Sequence, residues 1–237
     1  MSEPYLVCPP TWISATLEPD KKIGLITKVE SGSTPSTTND DYWDGDIPWL
    51  TPKELANISD GLFISRTERS ITEEGLGSIS AHLLEPGTVM LTKRAPVGYV
   101  AVNAVPMTTN QGFLNFKCGP LLRPLYLAYW FRANKPYLDL IANGSTYPEL
   151  YAGDLFEFEI SVPTIDEQDR IIEVLSSIQY ISLLGLPLEQ GVSSPEKMLI
   201  IQKQNERLAK IKDAILPLLL SGKLDVSKIS SHFSEAL

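Results

Sequence analysis

The sequence predicts an α/β (α+β) globular domain with mixed and antiparallel strands, followed by long coiled-coil-type helices. Three observations predict it. Residues 1–163 alternate short strand-like runs with Gly, Pro, Asn and Asp punctuation, as in GTVMLTKRAPVGYVAV (87–102). From Thr164 the pattern turns helical, beginning with PTIDEQDRIIEVL (163–175), and stays so almost to the end. Ile201, Gln204, Leu208, Ile211, Ile215 and Leu218 then recur at alternating spacings of three and four, the seam of a coiled coil with polar Gln204 at one core position. The expected division is 1–163 and 164–237, with helices over about 165–184 and 195–221.

Taken in order, GLITKV (24–29) suits a first strand, and residues 32–46 carry loop chemistry, pinned by Trp43, Ile47 and Trp49. Thr51-Pro52-Lys53-Glu54 reads as a helix start, with Thr51 as N-cap and Pro52 at the first helical position. Val89-Met90-Leu91 and Tyr99-Val100-Ala101-Val102 read as two strands around the Ala95–Gly98 turn. Residues 124–138 show helical spacing of Leu127, Trp130 and Phe131, and Phe156 to Val162 alternates as a strand. Thr164 with Glu167 forms a capping box for the first long helix, whose stripe is Ile171, Val174, Leu175, Ile178 and Ile181. Gly and Pro break the pattern at 185–195, Pro217 kinks the last turn, and Gly222 caps the second helix. Helices of these lengths reach about 27 and 39 Å. Their narrow stripes require a partner, either each other or the same elements of a second chain.

Composition excludes several classes. A hydrophobic fraction of 43% and a charged fraction of 21% are those of a soluble globular chain. No apolar run approaches the roughly 20 residues that span a bilayer, and MSEPYLVCPP lacks a signal pattern. Two cysteines, Cys8 and Cys118, make no disulfide framework. The expectation is a cytoplasmic protein without a membrane partner. Only two histidines occur, His82 and His232, and no Cys/His spacing fits zinc. Gly222-Lys223 lacks the rest of a phosphate loop, and no G-x-S-x-G is present. Asp40, Asp41, Asp44 and Asp46 lack the ordered spacing of a calcium loop. The expectation is a non-catalytic chain with no metal and no cofactor of its own; a hydrolase built on scattered carboxylates is the weaker rival.

The net charge of −9 counts against a nucleic-acid partner. Its distribution points the other way. Residues 86–138 hold six basic side chains (Lys93, Arg94, Lys117, Arg123, Arg132, Lys135) and no acid, so one face is either positive or simply buried.

GSTPSTTNDDYWDGDIPWLTPKEL (32–55), ISRTERSITEEGL (64–76), GTVMLTKRAPVGYVAV (87–102) and TTNQGF (108–113) follow one another in the order found in target recognition domains of Type I restriction–modification specificity subunits, which this chain resembles. PTIDEQDRII resembles the start of that family's spacer helix, and LPLLLSGKLDV its end. The likeness covers most of residues 12–226. It implies a non-catalytic subunit that binds double-stranded DNA. S-adenosylmethionine and methyl transfer belong to a modification (methyltransferase) partner, and translocation and cleavage to a restriction partner. The family carries two recognition domains held apart by two antiparallel spacers. This chain shows one of each and no internal repeat, which implies a half-subunit that pairs with a copy of itself or with another half. A homodimer would read an interrupted palindrome.

Lys93, Arg94 and Lys53 are the leading candidates for phosphate or guanine contacts. Asn110 and Gln111, in the Thr109–Gly112 turn, either read adenine or satisfy local backbone groups. Ser33, Thr34, Ser36, Arg66, Arg69 and Tyr147 are further loop candidates. The seam residues Ile201, Gln204, Leu208, Ile211, Ile215 and Leu218 are the candidates for dimerisation. The rival from another class is a protein-interaction scaffold whose body never meets DNA.

Overall fold

Val89–Thr92 and Val100–Asn103 are buried along their whole length, so they form the middle of a sheet covered on both faces. A computed structural model describes residues 12–19, 24–58, 62–142, 148–184 and 214–223, with backbone alone for 177–184. In chain order the strands are β1 (Ile13–Thr16), β2 (Ile26–Ser31), β3 (Trp43–Leu50), β4 (Phe63–Ile64), β5 (Arg69–Ile71), β6 (Val89–Thr92), β7 (Val100–Asn103), β8 (Thr108–Thr109), β9 (Phe113–Cys118) and β10 (Glu159–Val162). The helices are α1 (Pro52–Asn57), α2 (Glu73–Gly77), α3 (Pro124–Ala133), α4 (Lys135–Ile141), α5 (Ala152–Phe156) and α6 (Ile165–Leu184).

Contacts divide the chain into two units, Ala15–Ile160 and the remainder. The larger holds a five-stranded sheet in the order β2-β9-β6-β7-β4 and a three-stranded sheet in the order β5-β3-β8. Most pairs are antiparallel; β4 with β7 and β3 with β8 are parallel. The mixed and antiparallel α/β architecture is therefore as the sequence predicts. In the large sheet the register sets Val89, Val102 and Phe116 on one face, where Phe116 meets Phe131 of α3 at 5.2 Å. Met90, Ala101 and Phe113 face the other way and pack with Leu50, Leu55, Ile64, Leu84 and Met107. β8 and β9 belong to different sheets, so the turn between them, residues 110–112, is the seam where the two sheets meet.

Buried Asn103 braces this core. Its Oδ1 accepts from Thr88 N–H at 2.8 Å, and the two hydrogens of its Nδ2 are shared among the carbonyls of Leu84, Glu85 and Val105 at 3.2, 3.0 and 3.0 Å.

Local predictions hold where chemistry is local. Thr51 Oγ1 accepts from Glu54 N–H at 3.3 Å with Pro52 in the first turn of α1. Two expectations change. The single helix over 124–138 is two, α3 and α4, broken at Asn134: Pro136 lacks an N–H and cannot continue a helix. The strand over 156–162 shortens to β10, because Ala152–Phe156 closes into α5.

In the smaller unit α6 begins after Thr164, whose carbonyl accepts from Glu167 N–H and Gln168 N–H. The Glu167 carboxylate accepts from Trp12 Nε1 at 3.0 Å. Ile171 and Leu175 of the expected stripe are fully buried and Val174 half-buried. Residues 214–220 are helical, with Leu216, Leu219 and Leu220 buried, Ile215 half-buried and Leu218 exposed. Gly222 follows with φ +66° and donates its N–H to Leu219 O, a left-handed C-terminal cap. The 185–195 break and the seam residues Ile201, Gln204, Leu208 and Ile211 lie outside the described residues. No helix among the described residues is long and apolar enough to cross a membrane.

Candidate nucleic-acid interface

The turn at 110–112 gathers most of the candidate residues through backbone hydrogen bonds. Asn110 N–H donates to Leu50 O at 3.0 Å, at the end of β3. Gly112 O accepts from Lys93 N–H at 2.8 Å and Arg94 N–H at 3.3 Å, at the end of β6. Ser33 N–H donates to Thr109 O at 2.9 Å, and Thr34 Oγ1 donates to Gln111 Oε1 at 2.6 Å. Three separate segments thus converge on one turn, and the loop 32–38 lies against it. A Cβ on Gly32 would stand 2.0 Å from Thr109 O, so only glycine permits that approach.

The two tryptophans hold the other side of this loop. Trp49 Nε1 donates to Ser33 O at 2.9 Å and Trp43 Nε1 to Ser36 O at 3.0 Å. Ser36 Oγ pairs with Thr38 Oγ1 at 2.9 Å. The long loop of the sequence reading is therefore shorter than expected: an irregular stretch ends in a 3-10 turn at Asp40–Tyr42, and β3 begins at Trp43.

The candidate cations separate into two groups. Lys93 Nζ faces Glu149 Oε1 at 3.5 Å and Arg94 Nε meets the same oxygen at 3.1 Å. Leu150 N–H donates to Lys93 O at 2.8 Å, so the 149–150 segment is bound along its backbone as well. By contrast Lys53, Arg66 and Arg69 are exposed and have no carboxylate partner among the described residues. Arg69 lies over the Trp43 ring, with Cζ at 3.5 Å from its centroid. Lys53 and Arg66 are linked through Glu54, whose Oε1 accepts from Glu68 N–H at 2.6 Å and so ties α1 to the segment bearing Arg66. Burial drives the Glu54 carboxyl above its usual range; the Glu68 N–H partly opposes this, and the Glu68 charge adds to it.

Asn110 Oδ1 accepts from Gly112 N–H at 2.8 Å, closing the turn. Gln111 is exposed and engages Thr34 through Oε1 alone among the described residues. Tyr147 lies outside the described residues. Trp43 and Trp49 pin the loop as the sequence predicts; sequence reading missed Glu149 and the edge-to-face contact of the two indoles. The acid-free segment 86–138 is also less positive than its composition suggests, because acids beyond its ends offset part of its charge. Lys117 pairs with Glu85 at 2.5 Å, Lys135 with Asp139 at 2.8 Å, and Lys93 and Arg94 with Glu149. Lys117 holds the Glu85 carboxyl below its usual range. No cluster of His, Cys, Asp and Glu able to hold a metal occurs among the described residues.

Residues 19–185 match the Type I restriction modification DNA specificity domain. The chain is 48% identical over 158 residues to the Type I restriction enzyme MjaIX specificity subunit of Methanocaldococcus jannaschii, covering 66% of this chain and 36% of that protein. It is 29% identical over 196 residues to the EcoR124I/EcoR124II specificity subunit of Escherichia coli, covering 78% and 46%. The chain thus spans less than half the length of these relatives. Its fold resembles the HsdS subunit from Thermoanaerobacter tengcongensis, with TM-score 0.56, 18% identity, and coverage of 94% of this chain and 48% of that one. It also resembles a chain solved in work on assembly and conformational transition of the type I R-M system, with TM-score 0.61, 21% identity, and coverage of 94% and 49%. With the family match spanning most of the chain and the recognition motifs assembled around one turn, the chain belongs to the Type I restriction modification DNA specificity domain family.

Proposed function

We propose that this chain is a non-catalytic, sequence-specific DNA-binding half of a Type I specificity subunit. Its reading surface is the loop 32–38 with the 110–112 turn, flanked by Lys53, Arg66, Arg69, Lys93 and Arg94. The observation that carries this reading is the convergence of Ser33, Thr34, Lys93, Arg94, Asn110 and Gln111 on that turn. Phosphate contacts set affinity and register, and base-edge contacts, from basic or polar side chains, set sequence. Tyr147 joins this surface in the proposal.

The region 164–237 serves as spacer, after a recognition domain of 1–163, with helices over about 165–184 and 195–221. It pairs as a coiled coil with a second copy, or with another half-subunit, through Ile201, Gln204, Leu208, Ile211, Ile215 and Leu218. The paired halves read a split duplex site, palindromic for a homodimer, and recruit a modification subunit, which supplies S-adenosylmethionine, and a restriction subunit, all in the cytoplasm.

A mobility-shift assay of the full chain on random duplex DNA, with and without a Type I modification subunit, tests the function. Retarded complexes are expected with the pair; none under either condition rejects it. Lys substituted at both Leu208 and Ile211 is expected to give monomers by sedimentation, and a surviving dimer rejects that seam.

One alternative has an observation in its favour. The net charge of −9 and the partly offset charge of the 86–138 segment fit a protein-interaction scaffold. The same assay separates the two, since a scaffold retards no DNA.

A further inference from the structure

Arg69 and Trp49 stand directly opposite one another in the β3–β5 ladder. Trp43 lies six residues before Trp49, which on a regular strand is a distance of about 20 Å. Yet the two indole centroids are 5.1 Å apart at 89°, edge to face. A bulge brings them together. Trp43 and Ile47 both register against Ile71, so residues 44–46 loop out of the ladder. Asp44 takes φ +58° there. A Cβ on Gly45 would stand 2.6 Å from Ile71 O, so the loop closes tightly on β5 only with glycine at 45.

The bulge delivers Trp43 beneath the Arg69 guanidinium, at 3.5 Å from Cζ to the ring centroid, with Trp49 at 5.6 Å. Both indoles are themselves fixed through Nε1, to Ser36 O and Ser33 O. The Arg69 backbone is fixed too: its carbonyl accepts from Thr67 Oγ1 at 2.6 Å, and that oxygen accepts from Trp49 N–H at 3.1 Å. The guanidinium is therefore a planar fork held on an aromatic plate at an exposed position, and no carboxylate engages it among the described residues.

That arrangement suits one ligand chemistry. A guanidinium offers coplanar N–H donors at fixed spacing, the complement of guanine O6 and N7. Contact with the Trp43 face restricts the rotamer freedom of the fork before binding. A phosphate accepts charge from many directions and is served equally by unstacked side chains such as Lys53 and Arg66. We infer that Arg69, oriented by Trp43, is a specificity-determining residue that reads a guanine in the major groove. This rests on the DNA-reading function proposed above.

Selection of duplexes from a random library by the full chain, together with a modification subunit, tests it. The wild type is expected to enrich a site containing an obligatory guanine. R69A is expected to lose roughly ten- to hundredfold discrimination at that one position, with the other positions and the salt slope intact. R69K is expected to fall between them, because a single ammonium lacks the fork. Replacing that guanine by 7-deazaguanine is expected to weaken the wild type and leave R69A indifferent. Trp43→Phe keeps an aromatic face and retains the preference; Trp43→Leu loses it at the same position alone. Should Trp43→Leu unfold, the exposed-site variants R69A and R69K still decide the matter. Uniform weakening of all sequences by R69A with a shallower salt slope would make Arg69 a phosphate contact and overturn the inference. An unchanged site profile for R69A overturns it too. A wild type that enriches no site rejects the DNA-reading function itself.

Discussion

Arg94 Nε lies 3.1 Å from Glu149 Oε1, the same oxygen that faces Lys93 Nζ at 3.5 Å. One carboxylate thus offsets two neighbouring cations, leaving a net charge of one at the end of β6. A partly exposed cluster of this kind contributes on the order of 1 kcal/mol to stability. Its larger effect is on the local potential that a phosphate would meet. K93A combined with R94A is expected to weaken binding to every duplex and to flatten log Kd against log salt by up to about 2. E149Q is expected to do the reverse, raising non-specific affinity several-fold at low salt. Fluorescence anisotropy over a salt series measures both, and an unchanged slope in the double variant removes Lys93 and Arg94 from the interface.

Two glycines provide opposite outcomes. At Gly32 a methyl group would stand 2.0 Å from Thr109 O and 2.3 Å from Thr109 Oγ1. G32A is therefore expected to destabilise the fold by at least about 1–3 kcal/mol, the cost of forced overpacking, and to weaken DNA binding as the 32–38 loop leaves the turn. At Gly153, within α5, nothing lies within 4 Å of an added methyl group. G153A is expected to stabilise by about 0.4–1 kcal/mol, chiefly by restricting the unfolded chain. Urea unfolding checks both. Equal effects would contradict the close approach at Gly32.

Glu54 gives a pH-dependent outcome. Burial raises its folded-state pKa above the usual 4.5, so the folded form holds the proton more tightly than the unfolded one. Stability linked to this group is greatest below the ordinary carboxylate range and falls as pH rises through the raised pKa. Glutamine keeps an oxygen for the Glu68 N–H and removes the ionisation. E54Q is expected to melt above the wild type at pH 7, with the two converging as pH falls to 4. A difference independent of pH contradicts the linkage.

These outcomes depend on features that differ in how openly the sequence declared them. Thr51, Pro52 and Glu54 act on one another within a single helical turn, so the start of α1 was legible from four residues. The β6–β7 pair was legible because the runs Val89–Leu91 and Val100–Val102 are continuously apolar and close in sequence. The break at Asn134 was marked by Pro136, but the apolar spacing of Leu127, Trp130 and Phe131 masked it. Glu149 lies 55 residues beyond Arg94, and no local pattern joins them. Arg69 was recognised as a loop cation, whereas its aromatic plate was not, since a bulge abolishes the period that would relate Trp43 to Trp49. Asn110 was correctly open to a local role, and its bond to Gly112 N–H fulfils it.

The turn at 110–112 is fastened chiefly by main-chain groups: Leu50 O, the N–H groups of Lys93 and Arg94, and the Ser33 N–H on Thr109 O. Bonds of that kind are indifferent to which side chain projects beyond them. Exchanging Thr34 or Gln111 would therefore leave the chassis standing, and on the DNA-reading function proposed above a lineage built on it is free to acquire a new target one residue at a time without first having to refold.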